Sequence, residues 1–334
     1  MQKKIIASLF VSTALLMTAC SDSKTTTETK TAPAATATET AAPAANAEFD
    51  YKLTPKKVAE NVWCFLGALD KPTPENAGNM ANNCYVKTGD AFVVFDTGPS
   101  YIFAKQAYAA MSKEVGALPV KIVVVSHRHD DHWLGNEFYK KEFGAELIGP
   151  STINTMYKAG DQTRMFKTLP ANAIKGTNII PVDKTLTEEY DFEVNGVKFQ
   201  AIPVGTKAHT EEDYFLFMPE SKVLFAGDLV MNGRITSGRH GSVMGQITAL
   251  EMIKAKGWET LIPGHGFITD KTAVDEATLY FTLTRDRITA AIDDDVDATE
   301  INERVTLPEF KDKAMYDILN SNNVSYAFDE IDML

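Results

Sequence analysis

Apolar residues along this chain fall in short runs separated by glycine, proline and Asx punctuation. Runs at 58–66, 83–87 and 91–95, broken by Gly67, Gly89-Asp90 and Gly98-Pro99, predict antiparallel strands. Residues 101–115 place apolar side chains at helical spacing behind Ser100, a suitable N-cap. The β-branched run 121–125 is that of a strand buried on both faces, and it stops at Ser126-His127. Residues 135–143 read as a helix and 146–148 as a further strand. The runs 192–194 and 197–199 flank Asn195-Gly196, a strong two-residue hairpin signal.

A second hairpin joins 214–218 to 223–226 around Pro219-Glu220-Ser221, and a helical pattern at 246–256 leads into strand 260–262. Meander, helix, strand and helix, then the same theme again, predict two sheets packed face to face with helices outside, an α/β (α+β) class. The stretch 151–184 has weak helical character and takes no place in this scheme.

The ends of the chain carry different signals. Lys3 and Lys4, an apolar stretch over 5–17, and Thr18-Ala19 before Cys20 have the layout of a bacterial export signal, 1–19, with Cys20 placed as the acylated first residue of a lipoprotein. Residues 20–48 are almost entirely Ser, Thr, Ala, Pro, Glu and Lys, too poor in apolar side chains to offset ordering, and read as a tether. A single catalytic domain with a C-terminal helical tail then occupies 49–334. The expected location is the bacterial cell envelope, on the periplasmic face, anchored through lipid on Cys20 to the membrane, the outer one by expectation. A formal charge of −12 disfavours nucleic acid as a partner and leaves a small-molecule substrate. An oxidising compartment would permit Cys64 and Cys84 to pair. Both also fit buried strand positions as small apolar side chains, and the pattern favours that reading.

The chemistry is concentrated. In Ser126-His127-Arg128-His129-Asp130-Asp131-His132-Trp133 an apolar strand ends and throws His127, His129, Asp131 and His132 into one loop. Three further candidates, His209, Asp228 and His265, each follow a strand or sit in a turn beside glycine or proline. Of six histidines, five fall in these segments, and scattered surface or core histidines would not cluster so. Imidazole and carboxylate donors in this spacing suit zinc, with an open position for water, and suit iron as well.

From Phe49 to about Ile268 the chain resembles the metallo-β-lactamase superfamily, on the H-x-H-x-D-H segment and on the order of His209, Asp228 and His265 after it. The resemblance implies an αββα four-layer sandwich with two zinc ions along the edge between the sheets. His127, His129 and His209 would hold the first, Asp131, His132 and His265 the second, and Asp228 would bridge both. Asp96 matches a family aspartate that supports the ligand loop. Two metals about 3.5 to 4 Å apart can hold one hydroxide as the attacking group. The second metal, through Asp131 and His132, would fix that nucleophile and stabilise the departing atom. The expected reaction is cleavage of an ester, thioester, lactone or amide, the β-lactam amide included, with no serine or cysteine nucleophile.

Within the family, lactamases of the nearest subclasses carry cysteine where Asp228 stands, and commonly a lysine where this chain has Met231. Asp228 resembles instead glyoxalase II, lactonases and exported hydrolases of sulfur oxidation or quinoprotein systems, as does His132-Trp-Leu-Gly-Asn136. The acidic Asp293-Asp294-Asp295 in the tail argues against the anionic glutathione ligand of glyoxalase II. Arg234, Arg239 and His240 are expected on a solvated loop, Trp63 and Trp133 in core or pocket wall, and specificity in loops 67–82 and 232–245. Two other readings stand beside the hydrolase: a mononuclear iron oxidoreductase acting on persulfides, and a non-catalytic metal-binding lipoprotein.

Overall fold

The computed structural model describes residues 47–160 and 163–334. The expected leader, Cys20 and the tether as far as residue 46 lie outside the described residues.

Alternation builds the first sheet. Strands β1 (Lys56–Ala59), β2 (Val62–Phe65), β3 (Asn83–Lys87), β4 (Phe92–Phe95), β5 (Val120–Val124) and β6 (Glu146–Ile148) lie side by side in chain order. The run expected at 58–66 divides at Glu60-Asn61, where Asn61 takes φ 59° and turns β1 back on β2. The first four strands pair antiparallel; β4–β5 and β5–β6 pair parallel, because helices α1 (Tyr101–Val115) and α3 (Asn136–Phe143) carry the chain back across one face. Ser100 caps α1 by accepting from the Phe103 amide at 3.1 Å. On this sheet Trp63, Tyr85, Phe92, Val94 and Val123 point toward α1 and α3, while Val62, Cys64, Val86, Val93, Phe95 and Val124 point the other way. Both faces are therefore apolar, which is why the runs look continuous in sequence.

The second sheet has the order β11-β10-β9-β8-β7. Strands β7 (Tyr190–Val194) and β8 (Val197–Pro203) form the hairpin expected at Asn195-Gly196, both residues at positive φ, 50° and 84°. Strand β9 (Tyr214–Met218) pairs antiparallel with β10 (Val223–Met231), which pairs parallel with β11 (Thr260–His265) through helix α7 (Val243–Ala255). Phe199, Ala201, Leu216, Phe225 and Ile262 meet the inner face of the first sheet. Phe215, Phe217, Leu224 and Leu261 pack outward on α7 and helix α8 (Lys271–Asp293). Helix, sheet, sheet and helix make the four layers, each inner face burying side chains that its own sheet could not cover.

Two differences from expectation bear on the site. Asp130–Trp133 form one helical turn, α2, rather than loop. The unplaced 151–184 stretch holds three short helices, α4 (Ser151–Ala159), α5 (Arg164–Thr168) and α6 (Ala171–Ile174). The tail continues past α8 into α9 (Ile301–Arg304), a 3-10 turn and α10 (Tyr316–Ile331). Cys64 and Cys84, directly opposed on β2 and β3, are joined in a disulfide with Cα atoms 4.0 Å apart, which corrects the unpaired reading. Strand pairing, invisible in either run alone, sets the two Cβ atoms face to face. Among the described residues no helix is long and apolar enough to cross a membrane.

Candidate metal centre

Both sheets end at one edge, and each contributes donors there. β5 stops at Val124, and the segment after it carries His127, His129, Asp131 and His132; His209 follows β8, and Asp228 and His265 lie in β10 and β11. A bulge aims Asp228. Its neighbour Gly227 adopts φ 53°, where an added Cβ would sit 2.6 Å from the Ser126 Cβ, and the β10–β11 register slips at this point. Gly264 leaves room beside it, since a Cβ there would lie 2.1 Å from Asp228 Oδ1.

The seven candidate residues come together in two sets, His127, His129, His209 and Asp228 in one, Asp131, His132 and His265 in the other. Within each set the donor atoms lie within 4.8 Å of one another. Asp228 joins the sets with its two oxygens. Oδ2 faces His127 Nε2 at 3.5 Å and His209 Nε2 at 3.2 Å. Oδ1 faces His132 Nε2 at 3.2 Å and His265 Nε2 at 3.3 Å.

The remaining ring nitrogens are committed elsewhere, which fixes the orientation of each ring. His127 Nδ1 meets Ser126 Oγ at 2.9 Å, His132 Nδ1 meets Asp96 Oδ2 at 2.7 Å, His209 Nδ1 meets Thr236 Oγ1 at 3.2 Å, and His265 Nδ1 donates to the Met80 carbonyl at 2.8 Å. His129 is turned the other way: its Nδ1 faces the site, 2.9 Å from His209 Nε2, and its Nε2 meets His240 Nδ1 at 2.9 Å. Asp96 also accepts from the Ser126 amide and hydroxyl, both at 2.8 Å, and holds φ 57° to do so. One buried carboxylate thus ties the ligand loop to the end of β4.

Charge is arranged to favour cation capture. Burial pushes His127 and His129 well below the ordinary imidazole range, so both rings are neutral donors. Burial would lower His132 too, but Asp228 and Asp96 on its two sides raise it well above that range. Burial opposes ionisation of Asp131 and Asp228; the surrounding histidines, with Arg164 beside Asp131, override it and hold both carboxylates below their usual range. His127 Nε2, His132 Nε2 and Asp228 Oδ1 are buried yet have no hydrogen-bond partner. Orphaned donor atoms of this kind, converging without bonding one another, fit metal ions between them.

A cavity of about 400 Å³ opens over the two sets. Its cations are Lys71, Arg128, Arg164, Arg234 and Arg239, and its apolar wall includes Pro72, Met156, Met231, Met315 and Leu319. Loops 67–82 and 232–245 supply part of this lining, as expected. The solvated-loop expectation is corrected for Arg234 and His240, which are half-buried in the cavity lining, His240 touching His129, because the 232–242 loop folds over the site; Arg239 also borders the cavity but is exposed, as expected of a solvated loop. Trp63 and Trp133 are buried core, outside the cavity lining. Asp293-Asp294-Asp295 lie at the end of α8, outside that lining too, with Asp294 paired to Arg304. The acidic run therefore gives no argument against an anionic ligand.

Several contributors carry no local sequence signal. Arg164 Nη2 donates to Asp130 Oδ1 at 2.8 Å and Asp131 Oδ1 at 3.1 Å from the unplaced stretch. Thr236 is an ordinary polar residue until the fold brings its hydroxyl to His209 Nδ1.

The family model described as metallo-beta-lactamase superfamily matches residues 77–265. The hydroxyacylglutathione hydrolase of Brucella ovis is 25% identical over 214 residues, 62% of this chain and 70% of that protein. Among solved structures, a metallo-beta-lactamase from Pontibacter korlensis superposes with a TM-score of 0.55 at 18% identity, covering 69% of this chain and 99% of that one. The metallo-beta-lactamase FIM-1 from Pseudomonas aeruginosa, in its mono-zinc form, gives 0.54 at 20% identity, covering 69% and 95%. At these identities the structural likeness establishes the sandwich fold.

Proposed function

The chain belongs to the metallo-β-lactamase superfamily, and from that premise we propose that it is a dinuclear zinc hydrolase cleaving an ester, thioester, lactone or amide bond in a small anionic molecule. One observation carries the reading: two sets of buried donors share the carboxylate of Asp228, one oxygen toward each. His127, His129 and His209 would hold the first ion, Asp131, His132 and His265 the second, with Asp228 between them. Bound there, zinc supplies Lewis acidity toward a carbonyl oxygen and lowers the pKa of water enough to make a nucleophile near neutral pH.

The chain's own groups do the rest. Asp96 and Ser126 keep the ligand loop rigid, and Arg164 fixes Asp131 through one of its oxygens. Arg234 and Arg128, with Lys71 and Arg239 at the same cavity, favour an anionic group on the substrate. Met156, Met231, Met315 and Leu319 give the same cavity an apolar wall for the rest of the substrate. Likeness to hydroxyacylglutathione hydrolase supports a thioester as the first substrate to try. The export signal over 1–19 and acylation of Cys20 belong to the same proposal, which places the enzyme at the periplasmic face of the membrane.

The test is elemental analysis of protein purified without chelator, alongside hydrolysis of a thioester, a lactone and a chromogenic cephalosporin, each with a free carboxylate and as its methyl ester. Two zinc per chain and turnover are expected, with the free acid preferred roughly tenfold at low salt and less so at high salt. Asp228→Ala should remove turnover while leaving the circular dichroism spectrum intact. One iron per chain without hydrolysis of any substrate would overturn the reading in favour of redox chemistry.

A further inference from the structure

The two donor sets are held in different ways. In the second set, the partners of His132 and His265 are Asp96, at the end of β4, and the Met80 carbonyl, just before β3. Asp96 directly follows β4 and Met80 closes the 67–82 loop, so neither partner comes from the 232–242 loop. In the first set, Ser126 holds His127, but the partners of His209 and His129 are Thr236 and His240, both from the single loop 232–242.

That loop is fastened by the C-terminal segment, which lies beyond the residues matching the family. The Ile235 amide donates to the Ala314 carbonyl at 3.1 Å, and the Ala314 amide donates to the Gly233 carbonyl at 3.0 Å. Asn323, buried on α10, then spans the turn. Its Oδ1 accepts from the Gly238 amide at 2.7 Å, and its Nδ2 donates to the Thr236 carbonyl at 2.8 Å and the Tyr280 hydroxyl at 2.9 Å. Further along α10, Glu330 accepts from Ser242 Oγ at 2.6 Å and the Val243 amide at 2.7 Å, closing the far end of the loop. An amide side chain with every strong bond satisfied inside a buried network is a rigid spacer.

We propose that Asn323 is a positioning residue for one half of the metal centre: through the 232–242 loop it sets His209 and His129, and so governs zinc affinity at the first set without governing the second. The inference rests on the two-zinc reading. The C-terminal helix thereby decides how firmly one of the two ions is held.

The test uses the full chain and zinc alone, competed against a chromophoric chelator. His265→Ala leaves the first set intact and His129→Ala leaves the second, so each background reports one set. Adding Asn323→Ala should weaken zinc about tenfold in the His265→Ala background, the scale on which outer partners act, and less than twofold in the His129→Ala background. Asn323→Asp, of the same size but without the donor to the Thr236 carbonyl, should show the same selectivity and guards against misfolding of the alanine variant. Equal weakening of both sets, or none in the first, overturns the proposal, since general loosening would not discriminate between them. If neither background binds zinc, the two-zinc reading itself falls, which is a separate and recognisable result.

Discussion

His132 stands between two carboxylates, 2.7 Å from Asp96 and 3.2 Å from Asp228. Without metal the ring holds a proton to a pH well above its ordinary value, because the two acids outweigh the effect of burial. On the two-zinc reading, zinc would have to displace that proton, so uptake at the second set should release it and weaken as pH falls. Above the ordinary imidazole pKa of about 6.5, the competition persists until the raised value is passed. Asp96→Asn removes one of the two charges. Zinc titrations by calorimetry in buffers of different ionisation heat should then show less proton release at pH 7.5, and affinity about tenfold or more lower, as the ring loses its anchor. Unchanged proton release would mean that His132 is already neutral before zinc arrives. At this scale the sequence was informative wherever donors are adjacent. His127, His129, Asp131 and His132 announce themselves within six residues, whereas Thr236 reaches His209 only through folding.

Elements show the same division. The β5 run and its abrupt end were legible because burial on both faces demands continuous apolar side chains, and the Asn195-Gly196 hairpin because only certain residues tolerate its turn. The division of β1 from β2, the continuation of β10 beyond Gly227 and the seat of α10 depend on pairing and packing with distant partners. The disulfide is of this second kind. It closes a 20-residue separation between neighbouring strands, and cross-linking a loop of that length restricts the unfolded chain by about 3 kcal/mol. Replacing both cysteines with alanine should lower the unfolding free energy by that order, read as a lower urea midpoint at unchanged m, with hydrolysis unaffected under native conditions. An unchanged midpoint in urea would show that the bond contributes nothing to the folded state's advantage.

At the scale of the whole molecule, location becomes testable. If Cys20 carries lipid, wild-type protein should fractionate with membranes and incorporate labelled fatty acid, and Cys20→Ser should lose the label and appear in the soluble envelope fraction at the same specific activity. Unlabelled, soluble wild type would leave a cleaved export signal and remove the anchor.

The sharing of Asp228 between sets has a further consequence, for time rather than space. Chains are made from the amino terminus, so His127, His129, Asp131 and His132 exist well before Asp228, and His265 comes last of all. Neither set is complete on a nascent chain until the second sheet has formed beside the first. On the two-zinc reading, a polypeptide ending short of Asp228 would present five of the seven donors, His209 included, but lack the carboxylate that the two sets share. If the site takes metal as proposed, capture is a closing act of maturation, one that only a finished fold can perform.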